Sequence, residues 1–477
     1  MTVQVADQNF TLVVFGASGS LAKLKIFPGV YHLALEGRLN DVDYQVVGYA
    51  RSKMSNEKFR EIFAEAVRAA VDNVDEKLLL KILERVHYYS GEYDDEDAYH
   101  KLAGWLPEIE EKKDRVRLVY FSVPPSVFSS IIHNVCTKLD TEFAKVRLIL
   151  EKPFGYNYRT AKELEKELTS CYDEHQLYLL DHYLGKEAVF NVLSLRYANS
   201  ILTTLIKGKH IANIQITAFE PGGIEGRAGY FEHVGTLRDM VQSHVFQILA
   251  FLVMSLPAQI NEETLHREKR HVFEDFKVDD IEDSLVRGQY AGYLEEDGVA
   301  STSTTETFAA LKLKIDNLRW HGVPIYLRTG KKMKQKWTAI VIEFKQHSLQ
   351  EGAFEDLGTN KLVIQLQPQE KIEFKLYTKM GGTKIAFTEL TTGRPIFCSG
   401  DCLHEHGRLL LEAIRGNRLL FLSFEEVFAA WKVIDPLLDA FAENKVKLEK
   451  YEVGGMGTKG ADKLVSDDGF MWHNYFD

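Results

Sequence analysis

The spacing of apolar and polar positions changes character partway along this 477-residue chain. Up to residue 181, short continuous apolar runs recur at 11–15, 44–49, 118–122, 146–150 and 176–180, with amphipathic stretches between them. Unbroken runs of that length read as strands buried on both faces, and their alternation with helical stretches predicts a parallel, doubly wound sheet. Beyond residue 181 the period becomes two. Segments 213–219, 338–344, 361–367 and 371–377 alternate apolar and polar side chains, as strands covered on one face do. The expected fold is α/β plus α+β, in two domains: 1–181, with the parallel sheet, and 182–477, with a large, mostly antiparallel sheet and helices.

Composition narrows the possibilities. With 45% hydrophobic residues the chain can bury large cores. A net charge of −11 argues against nucleic-acid or anionic-membrane partners, so a phosphate site must be a local cluster of cations. Cysteines at 136, 171, 398 and 402 do not suggest a disulfide framework, and no secretory leader is visible, so a cytoplasmic, reducing setting is expected. The longest apolar run, 245–256, is too short to span a bilayer.

The unusual residues fall at strand ends, where open α/β sheets bind ligands. The first run leads into Gly16, Ala17, Ser18, Gly19, Ser20, Leu21 and Ala22, a Gly-x-x-Gly-x-x-Ala variant of the dinucleotide fingerprint that is also compatible with a plain tight turn. The second ends in Ala50-Arg51-Ser52. A guanidinium in place of the usual acid suits a 2′-phosphate, so a Rossmann-like domain binding NADP rather than NAD is expected. Glu151-Lys152-Pro153 follows a later strand. The fifth run opens into Asp181-His182-Tyr183-Leu184-Gly185-Lys186-Glu187, which offers a carboxylate, an imidazole, a phenol and an ammonium, with Gly185 leaving room for a ligand. In the second half Glu220 precedes a glycine-rich loop around Arg227 and Tyr230. His244 shares helical spacing with Leu237, Met240 and Val241, which on pattern alone reads as a hydrogen-bonded core histidine.

The heptad from Asp181 to Glu187 is very similar to the signature of the glucose-6-phosphate dehydrogenases. Glu220, the segment Arg227-Ala228-Gly229-Tyr230 and the segment from Arg238 to His244 match that family in order and spacing, and the similarity continues through 286–290, 316–324, Lys331 and the C-terminal stretches. The resemblance implies oxidation of glucose 6-phosphate at C1 to the 6-phospho-lactone, the first step of the oxidative pentose phosphate pathway. It makes His244 the base, oriented by Asp181. His182, Tyr183 and Lys186 would bind the phosphate, Glu220 and Asp239 the sugar hydroxyls, and Lys331 and Lys336 would complete the pocket. Lys152 would lie between sugar and cofactor, while Gly16 to Leu21 and Arg51 hold NADP. A homodimer or dimer of dimers, joined through the second-domain sheet, is also implied. Another sugar oxidoreductase with the same glycine loop and Glu-Lys-Pro would need neither the heptad nor His244. A non-catalytic regulatory paralogue would have lost catalytic groups, yet Asp181, Lys186 and His244 are all present.

The chain departs from the family at Ser20, usually Asp; at Leu179-Leu180, often Arg-Ile; at Ser243, usually Asn; and at Met456 and Thr458, typically Trp and Pro. Cys398, Cys402, His404 and His406 carry zinc-type ligands. Their spacing is compressed and the implied chemistry needs no metal, so none is expected.

Overall fold

A computed structural model describes residues 4–141, 144–346, 357–383, 385–396 and 403–476. The first sheet is built from β1 (Phe10–Phe15), β2 (Tyr44–Ala50), β3 (Val86–Ser90), β4 (Arg115–Phe121), β5 (Ala144–Glu151) and β6 (Leu177–Leu180). Its order is β3-β2-β1-β4-β5-β6, with every pairing parallel. Five of these strands match the apolar runs. The sixth, β3, escaped the pattern because it lies at the sheet edge, where Val-His-Tyr-Tyr-Ser alternates buried and half-buried positions. Strand order reverses between β1 and β4, which opens a crevice above their carboxyl ends.

The second sheet contains β7 (Ile211–Phe219), the two-residue β8 (Phe276–Lys277), β9 (Leu285–Tyr290), β10 (Phe308–Ile315), β11 (Ile325–Gly330), β12 (Trp337–Phe344), β13 (Lys361–Gln367), β14 (Lys371–Lys379), β15 (Phe387–Pro395) and β16 (Leu448–Tyr451). Its main path runs β15-β14-β13-β12-β7-β11-β10-β9-β16, with β8 beside β10. Only β7–β11 and β9–β16 pair in parallel. The alternating segments at 213–219, 338–344, 361–367 and 371–377 all fall on its strands.

Residues between β15 and β16 return to the first sheet. Helix Glu405–Arg415 crosses helix Phe27–Leu35 so closely that a Cβ on Gly29 would lie 3.3 Å from the Gly407 nitrogen. Arg147 on β5 donates to the carbonyls of Ala413 at 2.8 Å and Ile414 at 2.6 Å, capping that helix. The Leu422 N–H donates to Leu179 O at 2.9 Å, and Trp431 Nε1 on helix Phe424–Ala442 donates to Phe154 O at 3.1 Å. One hydrophobic core spans both sheets, and a smaller one lies under the C-terminal helix.

The cysteine expectation needs correcting. Cys136 and Cys171 form a disulfide, with Cα atoms 5.8 Å apart. Cys136 lies on the helix before β5 and Cys171 just after the helix that follows it, so β5 brings the two helix ends together. Cys398 and Cys402 lie outside the described residues. Among those described, no helix is long and apolar enough to cross a membrane; most of the run at 245–256 is the buried helix Phe246–Val253.

Candidate functional site

The heptad begins where β6 ends. Asp181 is fully buried, and one of its oxygens, Oδ1, accepts both the Tyr183 N–H at 2.9 Å and the ring of His244 through Nδ1 at 2.5 Å. It therefore caps the short turn His182–Gly185 and fixes the imidazole. Gly185 lines the cavity described below and also answers a packing need: a Cβ there would lie 2.7 Å from Glu405 O. The glycine admits helix Glu405–Arg415 to the rim.

His244 stands on Leu237–Val245, which is wound as a π-helix rather than at the ordinary spacing read from the sequence. The difference matters for Asp239 and His244, five positions apart. At 3.6 residues per turn such positions diverge, whereas i→i+5 winding stacks them on one face. Lys152 touches both: its Nζ lies 2.6 Å from His244 Nε2 and 3.1 Å from Asp239 Oδ1, and also donates to the Asp239 carbonyl. Tyr183 stacks on the His244 ring at 4.2 Å, and His182 meets it edge-on at 4.7 Å. Ser243, beside the histidine, is buried, and its hydroxyl has no hydrogen-bond partner among the described residues.

Lys152, Tyr183, Asp239 and His244 wall a cavity of about 1030 Å³ that also reaches His182, Lys186, Glu220, Lys331 and Lys336. Its charges are sorted. Around His244, Lys331 donates to Glu220 at 2.6 Å and lies 3.7 Å from Asp239. Toward the far end, Lys186 sits 3.8 Å above the Tyr183 ring, near Lys336 and Lys25. Burial, with those two lysines, pulls the Lys186 ammonium down to about 8, against the opposing charges of Glu405 and Asp181. Burial also lowers His244, opposed by Asp181 and helped by Lys152, which favours the neutral ring. Burial tends to raise Asp239, but Lys152 and Lys331 outweigh it and keep the carboxylate ionised.

A second cavity, of about 510 Å³, adjoins the first. It runs along the crevice from Gly19, Ser20 and Leu21 past Val123 and Pro124 to Tyr230, and shares Lys152 with the first cavity. Gly16, Ala17 and Ser18 lie behind it in the turn. Gly16 adopts φ +81, and a Cβ there would lie 2.1 Å from Ser122 O, so only glycine fits. Arg51 is exposed at the end of β2, with its guanidinium 5.7 Å from the Tyr93 ring centre.

Every residue proposed for the sugar and nucleotide sites thus lies on the two cavities or directly behind them, except Arg51, which stands on the open surface at the end of β2. The sequence reading assigned no role to several others. Tyr230 lines both cavities, near Asp239; an aromatic within a glycine-rich loop was its one local signal. Glu405 pairs with Lys25 at 3.5 Å across the cavity rim. That contact joins residues 380 positions apart, which no local pattern signals. His404 and Glu405 line the cavity, and His406 lies behind it, stacked on His182 at 6.2 Å.

Comparison with known proteins agrees with this geometry. Residues 13–191 match the family model described as glucose-6-phosphate dehydrogenase, NAD binding domain, and residues 193–473 match glucose-6-phosphate dehydrogenase, C-terminal domain. Glucose-6-phosphate 1-dehydrogenase of Dickeya dadantii is 34% identical, covering 99% of this chain and 99% of its own. The Bacillus subtilis protein of that name is 36% identical, over 97% and 98%. A solved structure described as glucose-6-phosphate dehydrogenase in complex with its substrate glucose-6-phosphate superposes with a TM-score of 0.90 at 33% identity, over 99% of this chain and 100% of that one.

Proposed function

The chain belongs to the glucose-6-phosphate dehydrogenase family, and from that premise we infer that it oxidises D-glucose 6-phosphate at C1 to 6-phospho-D-glucono-1,5-lactone, with NADP+ as acceptor. The observation that carries the reading is His244, held through Nδ1 by buried Asp181, with Nε2 beside Lys152 where the two cavities meet.

His244 Nε2 takes the proton of the C1 hydroxyl as the C1–O1 bond becomes the lactone carbonyl and the C1 hydrogen leaves as hydride. Such general-base assistance contributes roughly 10²–10⁴-fold. Asp181 keeps the ring proton on Nδ1 and stabilises the imidazolium that forms. Lys152, exchanging its contact with Nε2 for one with the substrate, aligns C1 between the cavities. Glu220, Asp239 and Lys331 take the sugar hydroxyls, while His182, Tyr183, Lys186 and Lys336 take the phosphate, where charge-assisted bonds favour the dianion.

Bound NADP+ supplies the hydride acceptor. The residues fit it: the second cavity opens on Gly19, Ser20 and Leu21 where the turn enters a helix, an end that favours a phosphate, and Arg51 at the end of β2 offers a guanidinium for a 2′-phosphate. Residues 1–181 would thus carry the cofactor and 182–477 the sugar. The exposed outer strand β15, with Leu390 46% exposed, supports a homodimer formed through this sheet, to be tested by light scattering. A charged phosphate ester does not cross bilayers unaided, which supports a cytoplasmic setting.

The deciding experiment follows reduced nicotinamide by absorbance, with glucose 6-phosphate against glucose and NADP against NAD. Rapid reduction that needs both phosphates is expected. No reduction under any pairing would favour a regulatory paralogue.

A further inference from the structure

One buried carboxylate outside the cavity walls holds the helix that carries the reaction. Helix Leu237–Val245 brings Asp239 and His244 to the cavity, and its start is irregular. Gly235 takes φ +66 and ψ 174, so helical geometry begins afresh just beyond it. The first N–H groups of a helix have no partner within it and are commonly satisfied by a side chain at the junction. Here the junction residue is a glycine, and the Thr236 hydroxyl is buried without a hydrogen-bond partner among the described residues.

Glu306, 69 residues beyond Leu237, takes both donors. Its carbonyl accepts from Thr236 N–H at 3.0 Å, and its Oε1 accepts from Leu237 N–H at 2.9 Å. The carboxyl group fills the space that a side chain at position 235 would occupy: a Cβ on Gly235 would lie 2.4 Å from Oε1. The next residue extends the contact, since Thr307 O accepts from Lys331 N–H at 2.9 Å. One dipeptide therefore fixes the helix bearing His244 and Asp239 and the strand end bearing Lys331.

We propose that Glu306 is a positioning residue for the oxidation: from the segment ahead of β10 it caps the active-site helix and so sets where His244 and Asp239 stand relative to the sugar. A carboxylate at a helix N-terminus also meets the favourable end of the backbone dipole. Burial pushes the Glu306 carboxyl up from its usual range. Either protonation state leaves an oxygen for Leu237 N–H, so a carboxamide of the same shape serves equally.

The inference rests on His244 being the base, so Glu306→Ala, Glu306→Gln and His244→Asn are measured side by side against the parent. Misplacement on the ångström scale costs turnover, so Glu306→Ala is expected to lower kcat about tenfold or more while KM for NADP stays put, and Glu306→Gln to restore kcat to within about threefold of the parent. If the alanine variant does not fold, Glu306→Asp, one methylene short of Leu237 N–H, takes its place with the same expectation. A folded variant lacking the contact yet turning over within about twofold of the parent, or Glu306→Gln failing as badly as Glu306→Ala, overturns the proposal. Full turnover by His244→Asn would instead overturn the base assignment itself, whatever Glu306 does.

Discussion

Two buried clusters in this chain use the same three side-chain types in a different order. At the cavity, His244 is central, with Asp181 on Nδ1 and Lys152 on Nε2. Among helices Glu262–Glu274 and Phe424–Ala442, the carboxylate is central. Glu426 takes Lys269 at 2.8 Å on one oxygen and His266 on the other, with Gln247, one turn beyond His244, bonded to both Lys269 and Glu426. Lys269 and Glu426 have fully buried side chains, whereas Lys152 keeps 17% of its side chain exposed. A carboxylate buried between an ammonium and an imidazole, away from both cavities, is a structural strut. An imidazole between a carboxylate and an ammonium, with Nε2 on a cavity wall, suits the proton acceptor proposed above. Residue type alone does not separate the two; the order of contacts and access to the cavity do.

The sharpest way to break that distinction is to disable each centre. His244→Asn should lower turnover by roughly 10²–10⁴-fold with sugar KM nearly unchanged, checked by steady-state kinetics. Glu426→Gln should do the reverse, costing about 3–5 kcal/mol of stability by leaving Lys269 buried and unpaired, with turnover per folded molecule preserved. Denaturant unfolding checks it, and activity lost in the absence of unfolding would make this cluster catalytic. Glu426 is lowered from 4.5 to about 2, chiefly because Lys269 and His266 outweigh burial. Its contribution is therefore complete above the unfolded value and drains away as pH falls toward about 2; Glu426→Gln should flatten that part of the stability–pH curve.

Lys186→Ala should raise KM for the sugar phosphate by about 10- to 100-fold, the worth of a charge-assisted bond, and leave kcat largely intact. Because its ammonium is lowered to about 8, KM in the parent should climb as pH rises through that value, and the climb should vanish in the variant. Arg51→Ala should have the smallest effect, raising KM for NADP by about tenfold and leaving KM for NAD unchanged. Equal losses with both nucleotides would remove Arg51 as the 2′-phosphate contact.

The sequence made the parallel sheet and its strand-end residues legible because buried parallel strands are continuous apolar runs and sit where ligands bind. It missed β3, an edge strand with too few apolar positions to stand out. His244 read as core by pattern, and it is indeed buried; only the family resemblance singled it out. The π winding that sets it beside Asp239 leaves no mark in a 3.6-residue period. Glu405 and Glu306 were invisible for a common reason: each acts on residues tens to hundreds of positions away, so local spacing carries no trace of the contact. The Cys136–Cys171 bond was missed likewise, since the sequence does not show that β5 carries both helix ends to one place.

The return of residues 405–442 onto the first sheet also bears on how the molecule is made. A chain emerging from the ribosome would complete β1 to β6 early, yet helix Phe27–Leu35, the β6 edge at Leu179 and the Phe154 carbonyl stay uncovered until almost the last residues are synthesised. The nucleotide-binding half, although translated first, is thus completed almost as late as the second sheet, whose last strand is β16. A chain terminated near residue 400 would fail at the opposite end from the cut, with an exposed Rossmann-like sheet for chaperones to shield and proteases to find.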